Sequence, residues 1–302
     1  MAEHHQVTDG LIIVDKAPGM TSHDVVARCR RIARTRKVGH GGTLDPMATG
    51  VLVIGVGKAT RLLTYVVGTG KIYRATIRLG QSTVTDDAEG EVTASVPATH
   101  LSDQVVRDQL ATMTGDVDQV PSAVSAIKVN GVRAYKMVRE GESVKLAARR
   151  VTISRIDVFE LRRSGDFVDV DVEVACSAGT YIRAIARDLG AAFGVGGHLT
   201  ALRRTAVGGF TLDEAYTLEK LAELADAGGD PVTLPLAQAL ARAMPVREVG
   251  EREAKVLSHG GPLEAVGIAG PYGVVGPDGA PLAVVSERDG RAKPEIVLAA
   301  AG

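Results

Sequence analysis

Between Gly39 and Gly50 the chain reads GHGGTLDPMATG, with four glycines in twelve residues, and it runs straight into the β-branched-rich stretch Val51–Val56. Glycine admits backbone torsions closed to other residues, and Pro46 restricts Asp45 to extended conformations. An apolar run bounded by Gly50 and Gly57 predicts a buried strand. A carboxylate is thereby held on a shaped loop against a buried strand. On spacing alone, that loop serves as well for a structural turn as for an active site.

The rest of the chain mixes strands and helices. Gly10 to Asp15 reads as a short apolar strand and Pro18–Gly19 as a turn. Thr21 or Ser22 can cap a helix in which Val25, Val26, Cys29, Ile32 and Ala33 recur at helical spacing. Ala59 to Val66 reads as helical, Lys71 to Leu79 alternates as a strand does, and Val84 to Gly90 is an acidic, turn-rich loop. His100 to Thr114 has a helical pattern that Ser102 can cap. Val151 to Leu161 and Phe167 to Ala175 flank Ser164–Gly165–Asp166 as an antiparallel hairpin would, and Tyr181 to Phe193 follows as a helix. This order favours an α+β fold over a doubly wound parallel sheet. Leu218 to Met244 reads as a mostly helical bridge. Beyond it, Val266 to Ile268, Gly273 to Val275 and Leu282 to Val285, separated by Gly- and Pro-rich turns, predict a small β module.

Composition excludes several classes. With 302 residues, 45% of them hydrophobic, the chain can bury a large core. Its cysteines, Cys29 and Cys176, lack the paired spacing of a zinc or thioredoxin-like motif, so a reducing cytoplasm fits better than a disulfide framework. No apolar run reaches membrane-spanning length, and the start, Met1 to Asp9, is polar. Gly55 to Thr60 suggests a phosphate loop only superficially, because Leu52 stands at the first glycine position and Ala59 replaces the hydroxyl residue. The net charge of −1 announces no polyanion. Locally, however, Arg28, Arg30, Arg31, Arg34, Arg36 and Lys37 fall together without an acid, suited to contacting phosphate. Arg149–Arg150, Arg162–Arg163 and Arg203–Arg204 read as further paired positive sites, most simply solvated faces.

The Asp45 loop resembles the signature motif of TruB-type pseudouridine synthases, and the resemblance extends along the chain in order. Gly10-Leu11-Ile12-Ile13-Val14-Asp15-Lys16 with Pro18-Gly19-Met20-Thr21-Ser22 matches the family's opening segment. Lys71-Ile72-Tyr73, Asp86-Asp87-Ala88-Glu89-Gly90, Ala134-Tyr135-Lys136 with Arg139-Glu140-Gly141, Cys176 through Arg183, and Leu202-Arg203-Arg204-Thr205 follow. One departure is Ser122, where the family often has a second proline, although Ser125-Ala126-Ile127-Lys128 resumes the pattern.

The resemblance implies a catalytic domain over residues 8–240, with a mixed, mainly antiparallel sheet and flanking helices, and a PUA-like RNA-binding domain over residues 245–302. It implies isomerisation of the uridine at position 55 in the tRNA T-loop, with Asp45 as nucleophile and Arg183 pairing with it and lowering its pKa. Tyr73 would stack on the uracil and help C5 lose its proton, Tyr181 and Leu202 would line the same pocket, and His40 would fill the space left by the everted base. Neither cofactor nor metal is implied. The partner is the tRNA T stem-loop, with no membrane and no obligate protein partner, and the chain is expected to be a monomer in the cytoplasm. A guide-RNA-dependent synthase subunit and a tRNA-folding factor are the alternatives. A glycoside hydrolase lacks a matched second acid.

Overall fold

Along Lys71–Leu79 every second side chain, Tyr73, Ala75, Ile77 and Leu79, is buried, whereas Gly10–Lys16 and Thr49–Val56 are buried almost throughout. Alternation marks a strand covered on one face and a continuous apolar run marks one covered on both. In the computed structural model, which describes residues 8–122, 128–129, 132–133 and 146–299, both kinds of strand belong to one sheet. The matched segments Ser125–Ile127, Ala134–Lys136 and Arg139–Gly141 lie outside the described residues.

That ten-stranded sheet contains β1 (Gly10–Lys16), β2 (Val38–Gly41), β3 (Thr49–Val56), β4 (Lys71–Leu79), β7 (Gly115–Gln119), β10 (Arg149–Ser164), β11 (Phe167–Cys176), β12 (Gly197–Val207), β13 (Phe210–Thr211) and β14 (Leu234–Pro235). The short pairs β5 (Gln81–Thr83) with β6 (Val92–Ser95), and β8 (Lys128–Val129) with β9 (Val132–Arg133), stand apart. Its spatial order is β14-β1-β3-β12-β4-β11-β10-β7, antiparallel except where β12 runs parallel to β3. The α+β architecture expected from the order of elements is the one observed.

One face of the sheet carries the larger core. Ile12, Val14, Leu52 and Ile54 meet Val25, Val26 and Cys29 of the helix Ser22–Ile32, Val106 and Leu110 of Asp103–Thr112, and Ile182, Ile185 and Leu189 of Ile182–Ala192. Thr21 and Ser102 cap the first two helices, Thr21 within a reciprocal capping box with Asp24. The opposite face of β1 and β3 meets Leu62, Leu63 and Val66, Ala239 and Leu240, and three residues of the C-terminal module, Val275, Val284 and Leu298. Further along, the same face of β4 and β11 is polar, where Arg78–Asp169 and Arg74–Glu173 pair directly across the strands at 2.7 and 3.4 Å.

The C-terminal module is a five-stranded sheet in the order β15-β17-β18-β19-β16, made of β15 (Val246–Glu248), β16 (Leu263–Glu264), β17 (Tyr272–Val275), β18 (Pro281–Arg288) and β19 (Arg291–Val297). Several expectations need correction here and upstream. The strand expected at Val266–Ile268 is irregular, because Val266 and Gly267 donate their backbone N–H groups to the Glu287 carboxylate instead of a ladder. The helix expected over Ala59–Val66 is a 3₁₀ turn, Gly57–Arg61, followed by the short helix Leu63–Val67. The bridge is two helices, Leu218–Asp226 and Leu236–Ala243, separated by β14 on the sheet edge. Among the described residues no helix is long and apolar enough to cross a membrane.

Candidate active site

The Gly-rich loop is shaped from three directions. Ser22, the first residue of its helix, accepts from the Leu44 N–H at 2.9 Å and donates to the Leu44 carbonyl at 3.1 Å. Lys16, at the end of β1 and fully buried, donates to the carbonyls of Ala17, Pro46 and Ala48 at 2.9, 3.1 and 2.6 Å. Arg204 on β12, also buried, reaches the carbonyls of Val51, Gly42 and Thr43 at 2.8, 3.0 and 3.4 Å. Gly50 allows β3 to come this close to β12. Its φ is +98°, and a Cβ there would stand 2.1 Å from the Arg204 carbonyl oxygen. With the backbone on both sides pinned, the Asp45 side chain is left about one-third exposed, at 37%.

Arg183, in the first turn of the helix Ile182–Ala192, meets it. One guanidinium nitrogen lies 3.0 Å from Asp45 Oδ2, while the other lies 3.3 Å from Asp87 Oδ2 and donates to the Thr85 carbonyl at 2.9 Å. The Arg183 and Asp87 side chains are 6% and 3% exposed, so a buried cation bridges a buried carboxylate and an accessible one. Asp87 is oriented in turn by the Thr85 hydroxyl and the Glu89 N–H. Its neighbour Asp86 adopts φ +59°, and Arg187, one turn beyond Arg183, lies 3.7 Å from the Asp86 carboxylate.

A cavity of about 280 Å³ opens over this pair, and Asp45, Tyr73, Tyr181, Arg183 and Leu202 all line it. Tyr73 lies opposite Arg204, and Ala75 opposite Leu202, in the β4–β12 ladder, which puts Tyr73, Leu202 and Arg204 on one sheet face. Burial pushes the Tyr73 phenol up, an effect the Arg204 guanidinium partly offsets. Tyr181 is likewise pushed up by burial, against Arg149 and Arg183. Lys71, on the same wall, caps the end of the helix Leu63–Val67 by donating to the Val67 and Thr69 carbonyls at 2.9 Å, and burial holds its ammonium below the usual range.

His40 stands outside this lining. It sits on β2 with its ring edge-on to that of His23, centroids 5.3 Å apart, its Nδ1 buried without a hydrogen-bond partner. Burial, then His23 and Arg204, lowers its pKa.

The arginine pairs that read as solvated positive sites are mostly neutralised. Arg162 pairs with Asp171, Arg163 with Asp103, Arg150 with Asp118 and Arg203 with Asp15, while Arg204 is internal. Lys16, Ser22, Lys71, Asp87 and Arg204 are the site's supports that sequence reasoning left without roles. Lys16 did carry a signal, as the cation that closes the mainly apolar matched segment Gly10–Lys16, whereas Arg204, beside Arg203, reads as one of a solvated pair. No group of three or more His, Cys, Asp or Glu side chains able to hold a metal ion occurs among the described residues.

Comparison with known proteins follows the same outline. Residues 30–182 match the model of the TruB family pseudouridylate synthase N-terminal domain, residues 183–241 that of the tRNA pseudouridylate synthase B C-terminal domain, and residues 244–299 that of tRNA pseudouridine synthase II, C-terminal. The tRNA pseudouridine synthase B of Arthrobacter sp. (strain FB24) is 58% identical over 301 residues, covering 96% of each chain. That of Thermobifida fusca (strain YX) is 54% identical over 297 residues, covering 97% of this chain and 99% of its own. Among solved structures, a chain of a Cbf5-Nop10-Gar1 complex superposes with a TM-score of 0.75 at 25% identity, covering 97% of this chain and 86% of that one. A chain of an H/ACA RNP bound to a substrate RNA shares the fold, with a TM-score of 0.71 at 24% identity, over 96% of this chain and 84% of its own. A pinned aspartate loop, a cavity built on the central sheet and family models that together run from residue 30 to residue 299 identify the chain as a member of the TruB family of pseudouridylate synthases.

Proposed function

We propose that this chain isomerises the uridine at position 55 of the tRNA T-loop to pseudouridine, with Asp45 as nucleophile. The observation that carries the reading is the Asp45–Arg183 ion pair at the wall of a cavity also lined by Tyr73, Tyr181 and Leu202. The reaction breaks the N1–C1′ bond, turns the base and forms C5–C1′; C5 gives up its proton and N1 ends with one, so no electrons are exchanged with a cofactor. Attack by Asp45, at C1′ or at C6, needs an ionised carboxylate, and Arg183 supplies a fixed counter-charge whose own burial keeps competing water away.

Tyr73 stacks on the uracil from the cavity wall. Because burial holds its phenol protonated, its hydroxyl takes up the C5 proton only as it gives its own away. Tyr181 and Leu202 complete the slot, and His40, beside the loop but outside the slot, fills the gap left in the RNA by the everted base. In this reading residues 8–240 do the chemistry, residues 245–302 form a PUA-like module that holds RNA, and the chain works as a monomer in the cytoplasm. Identity of 54–58% over nearly full length to proteins named tRNA pseudouridine synthase B favours a stand-alone enzyme over a guide-RNA-dependent subunit.

The test is pseudouridine mapping at single-nucleotide resolution on an unmodified tRNA transcript, using the purified chain alone. Conversion of one T-loop uridine is expected, and its loss in Asp45→Asn with tRNA binding retained. Tight tRNA binding without conversion by the native chain would overturn the stand-alone reading. Conversion by Asp45→Asn would overturn the nucleophile.

A further inference from the structure

Gln119 ends β7 beside the N-terminus of the helix that carries Arg183, and it is 5% exposed. Its side-chain amide makes two reciprocal bonds with the backbone of a single residue. Oε1 accepts from the Tyr181 N–H at 2.8 Å and Nε2 donates to the Tyr181 carbonyl at 3.0 Å. Tyr181 is the N-cap residue of Ile182–Ala192, has no side-chain cap of its own, lines the cavity, and stands two residues before Arg183. A primary amide offers one acceptor and one donor to the N–H and C=O of the same residue, so the pairing fixes the two peptide planes that flank the Tyr181 Cα. A second tie runs the same way, since Arg187 donates to the Val120 carbonyl at 2.8 Å. The end of β7 is thus bound to the helix by Gln119 at its N-terminus and by Arg187 further along it.

We infer that Gln119 is a positioning residue for the isomerisation: it sets the Tyr181 ring against the base and the start of the Arg183 helix against Asp45, without touching the RNA. The inference rests on the proposed function. No bond from any other side chain to the Tyr181 backbone occurs among the described residues. Loss of the amide therefore leaves Tyr181, which lines the cavity with Ala178, Gly179 and Thr180 ahead of the Arg183 helix, with an unpaired N–H and only the helix's own bonds to its carbonyl. A merely structural glutamine would alter folding stability alone. One acting through Tyr181 and Arg183 alters the chemical step at saturating RNA.

The experiment measures single-turnover isomerisation of a T stem-loop RNA, RNA dissociation constants and thermal midpoints for the full chain and for Gln119→Met and Gln119→Glu. Gln119→Met removes both bonds at similar volume, and about a tenfold loss of the saturated rate is expected, with RNA affinity within about twofold. Gln119→Glu keeps the acceptor for the Tyr181 N–H but sets a carboxylate against its carbonyl, so its rate also falls. Should Gln119→Met not fold, the near-isosteric Gln119→Glu decides alone. Native-like saturated rates in the folded variants, whatever their midpoints, would overturn the inference, as would a loss confined to RNA affinity. An inactive native chain would instead fail the proposed function, so the two failures are told apart by the unmutated control.

Discussion

At the scale of single residues the site depends on Arg183 serving two carboxylates at once. A lysine has one nitrogen where the guanidinium presents separate donors to Asp45, to Asp87 and to the Thr85 carbonyl. Arg183→Lys is therefore expected to lower the single-turnover rate by about a hundredfold while tRNA binding, read by filter retention, is kept. Arg183→Met goes further, because it strands the buried Asp87 carboxylate, 3% exposed, without its cation. A loss of about 3 kcal/mol in denaturant-measured stability is expected. Asp87→Asn in the same background should restore part of it, since an amide needs no counter-charge. No such recovery would mean that Asp87 is not what makes Arg183 costly to remove.

At the scale of elements the critical junction is where β3 meets β12. Gly50→Ala sets a Cβ against the Arg204 backbone at a φ that disfavours side chains, and a loss of about 3 kcal/mol is expected by urea titration, with activity falling as the Asp45 loop shifts. Thr21→Ala, removing the capping box before the helix that carries Ser22, is expected to cost about 1 kcal/mol. The elements readable from sequence were those whose burial has a simple period: β1 and β3, covered on both faces, and β4 and β11, covered on one. β12 was not, although it lies at the centre of the sheet. Its pairing with β4 is interrupted at Leu199/Ala201 and Arg204/Ala206, which breaks the alternation, and its buried Arg204 looks like a surface residue. The site was legible in part. Asp45, Tyr73, Tyr181 and Leu202 were read as candidates only through the ordered family motifs, whereas Lys16, Ser22 and Arg204 act through backbone carbonyls and amides contributed by distant segments, which no local pattern reveals.

At the scale of the whole molecule the C-terminal module is joined to the main sheet through a shared core and a polar rim. Tyr65 on the helix Leu63–Val67 donates to Glu295 Oε2 at 2.8 Å, and Arg61 donates to the Val297 carbonyl. The hydrogen bond from Ser286, then that from Tyr65, holds the Glu295 carboxyl below its usual 4.5. A depressed carboxyl pKa contributes stability that is present above 4.5 and lost as the pH falls through the lowered value. The gap in thermal midpoint between the native chain and Glu295→Gln should therefore be widest at neutral pH and shrink as the pH falls below 4.5. A constant gap would show that the ionised form contributes nothing.

The strand order also bears on how the chain comes into being. β3 and β4 do not pair with each other, because β12 lies between them, and β12 begins only at residue 197. A ribosome that has released only the first two-thirds of the chain has therefore released a sheet in two halves. Each half has an unpaired edge facing the missing strand, and such edges template aggregation. Arg204 arrives on the same strand, so the aspartate loop gains its last support at the moment the sheet closes. Completion of the aspartate loop's scaffold and protection from self-association thus both wait on one late strand.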